Sequence, residues 1–190
     1  NIQQLVADNL KLAPEPEEET PPLTIPSSPA PIPPLTVSIT MPTCDRPEDL
    51  ARCLDSLTNH VTEVDHEIII VDNSPASGLT EPVVRRYPGV VYVAEPKPGV
   101  TYARNAGALH AQGDIIVCTD DDVMVEEGWL DNLIRPFADP EITVVAGLVI
   151  PYELDRQAQL LFEEYGGLTK SFEPERFGAE FFQQKWLLGR

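Results

Sequence analysis

Short runs of β-branched apolar residues alternate along this chain with stretches of helical spacing, and this alternation limits the fold more than any other feature. The apolar runs are LTVSIT (35–40), EIIIVD (67–72), VVYVA (90–94), DIIVCT (114–119) and ITVVAGLVI (142–150). Such runs are typical of strands buried on both faces of a sheet. The helical stretches between them lie at 47–57, 79–86, 101–112 and 126–138. The sequence therefore predicts an α/β fold with a mostly parallel sheet and helices on both faces.

A proline-rich segment precedes the first apolar run, which we expect to end at Met41-Pro42. Nine of the chain's 20 prolines lie within 14–34, and Glu17–Glu19 form part of an acidic patch there. Because proline has no amide donor and a fixed φ, this stretch is predicted to be an extended linker. We expect residues 1–34 to be an N-terminal segment with this linker, and residues 35–190 to form the domain. The first residue is Asn rather than Met, so the chain is expected to be a piece of a longer protein.

The net charge of the chain limits the classes of partner that it can bind. Thirteen Lys and Arg against 31 Asp and Glu give a formal charge of −18. This field repels a phosphate backbone, so general nucleic-acid binding is not expected, and an anionic small molecule would need a local basic residue or a bound cation. No run approaches the ~20 apolar residues of a membrane span. Cys44, Cys53 and Cys118 are too few and scattered for a disulfide framework or a zinc cluster, so a reducing cytoplasm is the simplest compartment.

Polar clusters follow three of the predicted strands. They are PTCDRP (42–47), DNS (72–74) and TDDDV (119–123). A single acid at such a place can be a turn former or a helix cap. Because ligands bind at the carboxyl ends of strands in parallel sheets, three clusters at one edge favour a binding site.

The three adjacent aspartates Asp120, Asp121 and Asp122 are the most distinctive feature. Neighbouring carboxylates repel one another at the end of an apolar strand unless a cation neutralises them. Their oxygens suit a hard divalent ion such as Mg²⁺ or Mn²⁺, and no His or Cys pair at ligand spacing accompanies them to favour zinc. The alternative interpretation is a purely structural acidic turn.

The segment PKPGVTYARNAGALHAQGD (96–114) predicts a tight turn and then a slim helix. Gly99 allows the turn, and small residues over 103–108 allow the helix to lie close to the sheet. Lys97 and Arg104 are candidates to offset the charge of a diphosphate. Alternatively, Arg104 pairs with a nearby acid.

Four ordered segments together resemble the family 2 glycosyltransferases with the A-type nucleotide-sugar fold. The segments are PTCDRPEDLARCLDSL, EIIIVDNS, PGVTYARNAGALHAQGDIIVCTDDDV and DNLIRPFADPEITVVAGLVIP. The resemblance covers about residues 35–152. It implies a Rossmann-like fold of the nucleotide-diphospho-sugar transferase type.

The resemblance also implies roles for particular residues. The loop beneath the nucleotide base would hold Pro42, Thr43, Cys44 and Arg46. Asp72 and Asn73 would contact the base or ribose, with Lys97 and Arg104 as supporting candidates. Asp120 and Asp121 would belong to the nucleotide-sugar site. Asp120 and Asp122 would hold Mn²⁺ or Mg²⁺ against the diphosphate.

The implied activity is metal-dependent transfer of a sugar from a nucleoside-diphosphate sugar to an acceptor hydroxyl, with inversion. UDP is the default nucleotide, and the acceptor is a sugar, a lipid or a protein. The donor is cytoplasmic, so we expect a cytoplasmic domain, attached to a membrane, if at all, through other parts of the longer protein. In the family a later segment of the acceptor half supplies the general base. Since none of the acids after Pro151 has that context, we name no base and expect the domain to be truncated there.

Three other functions fit parts of the pattern. A noncatalytic glycosyltransferase-like binding or scaffold domain suits the missing base and the proline-rich tether. A signalling receiver needs an acidic pair after the first strand, where this chain has Cys44-Asp45-Arg46. A nucleotidyltransferase needs a glycine-rich loop there, and PTCDRP is not one.

Overall fold

The structure is a computed structural model and describes residues 31–166 and 175–178. Of the described residues, 31–147 form one compact unit, and those from Leu148 onward belong to a second unit. In the second unit a helix over Gln157–Gly166 has no buried residues. Residues 1–30, which include most of the predicted linker, lie outside the described residues.

Four strands form one parallel sheet in the compact unit. They are β1 (Val37–Thr43), β2 (His66–Asp72), β3 (Val90–Ala94) and β4 (Ile115–Cys118). Their order is β3-β2-β1-β4, and every pairing is parallel. The prediction of a mostly parallel sheet is therefore confirmed, and the carboxyl ends of all four strands meet at one edge.

Helices follow the strands as the sequence predicts. They are α1 (Pro47–Thr58), α2 (Glu81–Val84), α3 (Val100–His110), α4 (Trp129–Ile134) and α5 (Gln157–Gly166). Proline starts α1 and two acids lie in its first turn, which suits the positive end of a helix. One turn of 3₁₀ helix, Arg135–Ala138, extends α4.

Apolar side chains cover both faces of the sheet. On one face, Ile39 and Met41 of β1 pack in a buried cluster with residues of α1 such as Leu54. On the other face, Ile69 of β2 packs in a second cluster with Ala103 of α3. Helices therefore lie on both faces, as the sequence predicts.

Gly107 brings α3 unusually close to the sheet. A Cβ atom at this position would lie 3.1 Å from Cβ of Thr40 and 3.3 Å from Cγ2 of Val71. Both neighbours belong to the two central strands and are buried. The small residues of α3 therefore fix the distance between this helix and the sheet edge that bears the polar clusters.

β1 continues past the proline that was expected to end it. Pro42 pairs in register with Val71 of β2, and Thr43 pairs with Asp72. On the other side of β1, pairing with β4 ends at Thr40 and Cys118. Because β1 is an edge strand at Pro42 on that side, the missing amide donor is tolerated there.

Two predictions about strands are wrong. Residues 142–150 form no strand, and Val144 in this segment is 81% exposed. An apolar β-branched run becomes a strand only where another strand pairs with its backbone, and none of the described residues does so here. Burial on both faces also fails for the outer strands, since Val91 of β3 and Ile116 of β4 are exposed.

Candidate functional site

An open cleft of about 460 Å³ lies where β1, β2 and β4 end and α3 begins. Its lining residues are Pro42, Thr43, Cys44, Arg46, Asn73, Gly99, Val100, Ala103, Asp120, Asp121 and Asp122. The structure thus brings the three polar clusters together. Of the residues predicted for the site, Asp72, Lys97 and Arg104 are not part of this lining.

Asp121 is the buried member of the acidic triplet. Its Oδ2 accepts a hydrogen bond of 2.7 Å from Oγ1 of Thr43, at the end of β1. Its Oδ1 accepts one of 3.0 Å from Nη1 of Arg46. Both carboxylate oxygens are therefore engaged by the protein, so Asp121 joins the loop after β4 to the loop after β1.

Arg46 reaches the triplet from the turn between β1 and α1. Asp45, immediately before it, has a φ of 54°, a left-handed conformation that reverses the chain. Besides Asp121, Nη1 of Arg46 also lies 3.1 Å from Oδ2 of Asp122, and Nε lies 3.4 Å from Oδ2 of Asp49. The Asp121 carboxylate, then that of Asp122, raises the pKa of Arg46, which stays charged.

Asp120 and Asp122 are half-exposed, with side-chain exposures of 56% and 49%. Nη2 of Arg104 donates to Oδ1 of Asp120 at 3.0 Å. Arg104 therefore pairs with a nearby acid, as the alternative interpretation of the sequence held. Together, Arg46 and Arg104 supply positive charge that three adjacent carboxylates require.

Cys53 of α1 lies beneath the triplet. Its thiol donates to the backbone oxygen of Asp120 at 3.7 Å. Burial, and then the nearby Asp121 carboxylate, raises the pKa of Cys53 to about 12. The thiol stays neutral at physiological pH, so it supports the loop and is not a nucleophile.

Asp120 and Asp122 suit a divalent ion that is shared with a ligand. Among the described residues, no three His, Cys, Asp or Glu side chains converge to form a metal site made by protein alone. Mg²⁺ commonly binds through one or two carboxylates and takes its remaining oxygens from substrate phosphates and water. The two half-exposed carboxylates fit an ion of this kind.

Asp72 lies at the end of β2 and is buried. The hydroxyl of Tyr92 donates to its Oδ2 at 2.8 Å, and the backbone N–H of Ser74 donates to its Oδ1 at 2.9 Å. Burial, and then the hydrogen bond to Asp72, raises the pKa of Tyr92 to about 12. Both oxygens of the Asp72 carboxylate are thus hydrogen-bonded within the protein, at the carboxyl end of β2.

Asn73 ties the next loop to the cleft. Its amide nitrogen donates to the backbone oxygens of Glu95 and Lys97, at 3.0 and 2.7 Å. Its Oδ1 accepts from the backbone N–H of Gly99 at 2.8 Å. Gly99 has a φ of 126°, which residues with side chains rarely adopt, and it is the N-cap residue of α3. The amide that was predicted to contact a nucleotide therefore also shapes the turn that opens α3.

Lys97 does not line the cleft but contacts an aromatic ring. Its ammonium nitrogen lies 3.8 Å from the centre of the Tyr102 ring, a cation–π contact. The predicted support of a diphosphate by Lys97 stays a prediction.

The comparison with protein families decides the classification. The family model described as glycosyl transferase family 2 matches residues 38–186, most of the chain. The chain belongs to glycosyl transferase family 2. The resemblance seen in the four sequence segments is confirmed.

Curated glycosyltransferases each match part of the chain. A glucosyl-dolichyl phosphate glucuronosyltransferase of Haloferax volcanii is 29% identical over 77 residues, 40% of this chain and 25% of that protein. The poly(ribitol-phosphate) β-N-acetylglucosaminyltransferase TarP of Staphylococcus aureus is 30% identical over 102 residues, 51% of this chain and 31% of that protein. The chain thus spans a third or less of the length of either relative.

A solved structure shares the fold. A mannosyltransferase of Pyrobaculum calidifontis, in complex with GDP-Man and Mn²⁺, superposes with a TM-score of 0.52 at 24% identity. The match covers 60% of this chain and 36% of that one. This likeness confirms the predicted nucleotide-sugar transferase fold.

None of the described helices of this family 2 chain is long and apolar enough to cross a membrane.

The sequence reasoning missed Tyr92 and two cleft residues of this family 2 chain, Val100 and Ala103. Tyr92 lies within an apolar run, and only the register that sets Ala94 beside Asp72 brings its hydroxyl to that carboxylate. Val100 and Ala103 form the first turns of α3. Their proximity to Gly99, the predicted turn, was the available signal.

Proposed function

We propose that this chain is the nucleotide-sugar-binding part of a glycosyltransferase that uses a divalent ion and transfers a sugar to an acceptor hydroxyl. The observation that carries the proposal is the placement of Asp120 and Asp122. Both carboxylates are half-exposed on one cleft, while the aspartate between them is buried and held by Thr43 and Arg46.

The cleft has two chemically distinct ends. Asn73, after β2, lines one end of the cleft, and the buried Asp72 holds the loop that carries it; this end would receive the base or the ribose. Asp120 and Asp122, after β4, pair with Arg104 and Arg46 respectively and suit an ion with a diphosphate. A nucleoside diphosphate lying across the strand ends would place its nucleoside at the β2 end and its diphosphate at the β4 end.

Charge explains why an ion is part of the proposal. The two half-exposed carboxylates would repel a diphosphate, and the whole chain carries a formal charge of −18. When bound, Mn²⁺ or Mg²⁺ supplies positive charge that stabilises the departing diphosphate. Asp120 and Asp122 would hold the ion, and Arg46 keeps Asp121 neutralised beside them.

In the proposed reaction the acceptor oxygen forms a bond to the anomeric carbon of the donor sugar. The bond from that carbon to the diphosphate breaks, and the nucleoside diphosphate leaves with the electron pair. A carboxylate general base takes the proton of the acceptor hydroxyl, and inversion follows from a single displacement. We assign this base to no described residue, because none of them has been placed opposite the cleft carboxylates.

The donor and its location complete the proposal. UDP is the default nucleotide, and GDP is tested beside it because the similar mannosyltransferase was solved with GDP-Man. The acceptor is a sugar, lipid or protein hydroxyl. A cytoplasmic site is proposed because the donor class is cytoplasmic.

Titration calorimetry tests the proposal. UDP and GDP are titrated into the chain with Mn²⁺ and with EDTA, and one of them should bind far more tightly with Mn²⁺. Asp122→Asn should remove most of this metal dependence, at a cost of about 2 kcal/mol in nucleotide affinity, as for a lost charged contact. Glu127→Gln removes the same charge at an exposed residue outside the cleft lining and should behave like wild type.

Equal binding with Mn²⁺ and EDTA would leave the triplet as an acidic turn. Metal-dependent nucleotide binding without sugar transfer or hydrolysis of the donor would favour the noncatalytic binding domain.

A further inference from the structure

The two arginines on the acidic triplet are held very differently. Arg46 pairs with Asp121, whose side chain is only 6% exposed, and also with Asp122 and Asp49. Arg104 pairs with Asp120 at 3.0 Å, and both of these side chains are half-exposed. Among the described residues, Asp120 is the only carboxylate within ion-pair distance of Arg104. Arg46 is therefore anchored in the protein, whereas a single exposed contact retains Arg104.

Arg104 occupies a carboxylate that is also a proposed ion ligand. Its Nη2 binds Oδ1 of Asp120, so a divalent ion at Asp120 would bring a second positive charge against the guanidinium. An exposed ion pair of this kind is weak and is easily exchanged.

The backbone that carries Arg104 is well placed for an exchange. Arg104 follows Ala103, which lines the cleft, in the second turn of α3. The close packing of Gly107 on Thr40 holds this helix against the sheet. An exchange would therefore need only a rotation about the side-chain bonds of Arg104 and no movement of α3.

We propose that Arg104 is an exchangeable counterion: it neutralises Asp120 in the ligand-free cleft and transfers to the diphosphate when the ion and the nucleotide bind. This inference rests on the proposed function. Arg46 remains with Asp121 throughout, because leaving would strand a buried carboxylate. In this exchange the guanidinium of Arg104 always faces a negative group, first Asp120 and then the diphosphate. The fold does not have to change.

The exchange predicts opposite effects of one substitution on two ligands. Arg104→Gln removes the competing charge at Asp120, so Mn²⁺ alone should bind about two- to fivefold more tightly, as expected from losing an exposed ion pair. The same substitution removes a charged contact to the diphosphate, so UDP or GDP with saturating Mn²⁺ should bind about tenfold more weakly. A fixed structural ion pair would not produce this pair of opposite changes.

Electron paramagnetic resonance of free Mn²⁺ measures the first affinity, and calorimetry with UDP and GDP at saturating Mn²⁺ measures the second. Arg85→Gln is the matched control, because Arg85 pairs with Glu81 on an exposed helix surface away from the cleft. Arg104→Lys keeps the charge and should return Mn²⁺ affinity toward the wild-type value. Arg104→Met repeats the neutral substitution with a side chain of similar length, and thermal melts verify folding.

An Mn²⁺ affinity of Arg104→Gln and Arg104→Met no tighter than that of Arg85→Gln would overturn the exchange. So would a nucleotide affinity equal to that of Arg85→Gln. If wild type binds nucleotide with Mn²⁺ but these results appear, only the exchange fails. If wild type binds neither UDP nor GDP with Mn²⁺, the proposed function fails and the exchange fails with it.

Discussion

Oγ1 of Thr43 donates a hydrogen bond to Oδ2 of Asp121 at 2.7 Å, and this contact joins the carboxyl end of β1 to the loop that follows β4. The two residues lie 78 positions apart in sequence. Because Arg46 binds the other oxygen of the same carboxylate, Asp121 is held from two directions. Asp120 and Asp122, on either side of this fixed residue, line the cleft.

Asp121→Asn should destabilise the fold by about 2 kcal/mol, since the charged contact to Arg46 is lost and one amide oxygen cannot accept from both Arg46 and Thr43 as the carboxylate does. Asp122→Asn, at a half-exposed carboxylate, should change the free energy of unfolding by less than about 1 kcal/mol. Urea denaturation of both variants measures the difference. Equal stability of the two would show that the burial of Asp121 contributes nothing.

Tyr92→Phe should cost about 2 kcal/mol of stability, because the buried carboxylate of Asp72 loses a hydrogen-bond donor. Tyr87→Phe is the matched control, since Tyr87 donates to Asp55 on the surface instead. Tyr92→Phe should also weaken UDP or GDP binding, whereas Tyr87→Phe should leave it unchanged. Calorimetry and urea melts check both parts, and a loss of nucleotide affinity in the control would contradict the assignment.

The same tyrosine predicts a pH dependence. The folded-state pKa of Tyr92 is raised from 10.0 to about 12, so the protonated hydroxyl is favoured in the folded protein. Its stabilising contribution is fully present below pH 10 and is lost as the pH rises from 10 toward 12. The stability difference between wild type and Tyr92→Phe should therefore shrink over this window. If urea melts gave a constant difference from pH 8 to about 11.5, burial and Asp72 would not be what holds this proton.

Asp72→Ala should weaken nucleoside binding whether or not metal is present, because the buried Asp72 carboxylate holds the loop after β2 that carries the cleft residue Asn73. This separates it from Asp122→Asn, whose effect requires Mn²⁺. Since Asp72 is buried and accepts from Tyr92 and Ser74, a melt must confirm that the variant is folded. Unchanged affinity for both UDP and GDP in a folded Asp72→Ala variant would remove Asp72 from the site.

Gly107→Ala should destabilise the chain by about 1–3 kcal/mol, although alanine is normally the better helix residue. The new methyl group would meet Cβ of Thr40 at 3.1 Å and Cγ2 of Val71 at 3.3 Å, and both belong to the buried central strands. Ala108→Gly, at an exposed neighbouring position of the same helix, should cost about 1 kcal/mol by propensity alone. A thermal melt that shows Gly107→Ala to be more stable than wild type would contradict the close packing of α3.

The sequence predicted the cleft because of a property of parallel sheets. Three polar clusters follow three apolar runs, and parallel strands end at one edge, so the clusters must approach one another once the runs form a sheet. The structure brings together Thr43, Asn73 and Asp121 as this argument requires. The family resemblance, now confirmed, depended on the same segments.

Local sequence patterns predicted the wrong strand boundaries at two places, the segment 142–150 and Pro42. Apolar β-branched composition is the same whether or not a pairing strand is present, so it could not reveal that 142–150 forms no strand. Likewise, Pro42 continues β1 only because β4 is too short to pair with it there.

Sequence by itself determined the parallel sheet, the position of its binding edge and the residue types gathered there, because side-chain periodicity and strand direction are local properties. Tertiary structure alone decided which of three identical adjacent aspartates is buried, which acid Arg104 pairs with and which hydroxyl holds Asp72. These choices depend on the register of neighbouring strands and on contacts between residues up to 78 positions apart, and no local pattern contains that information.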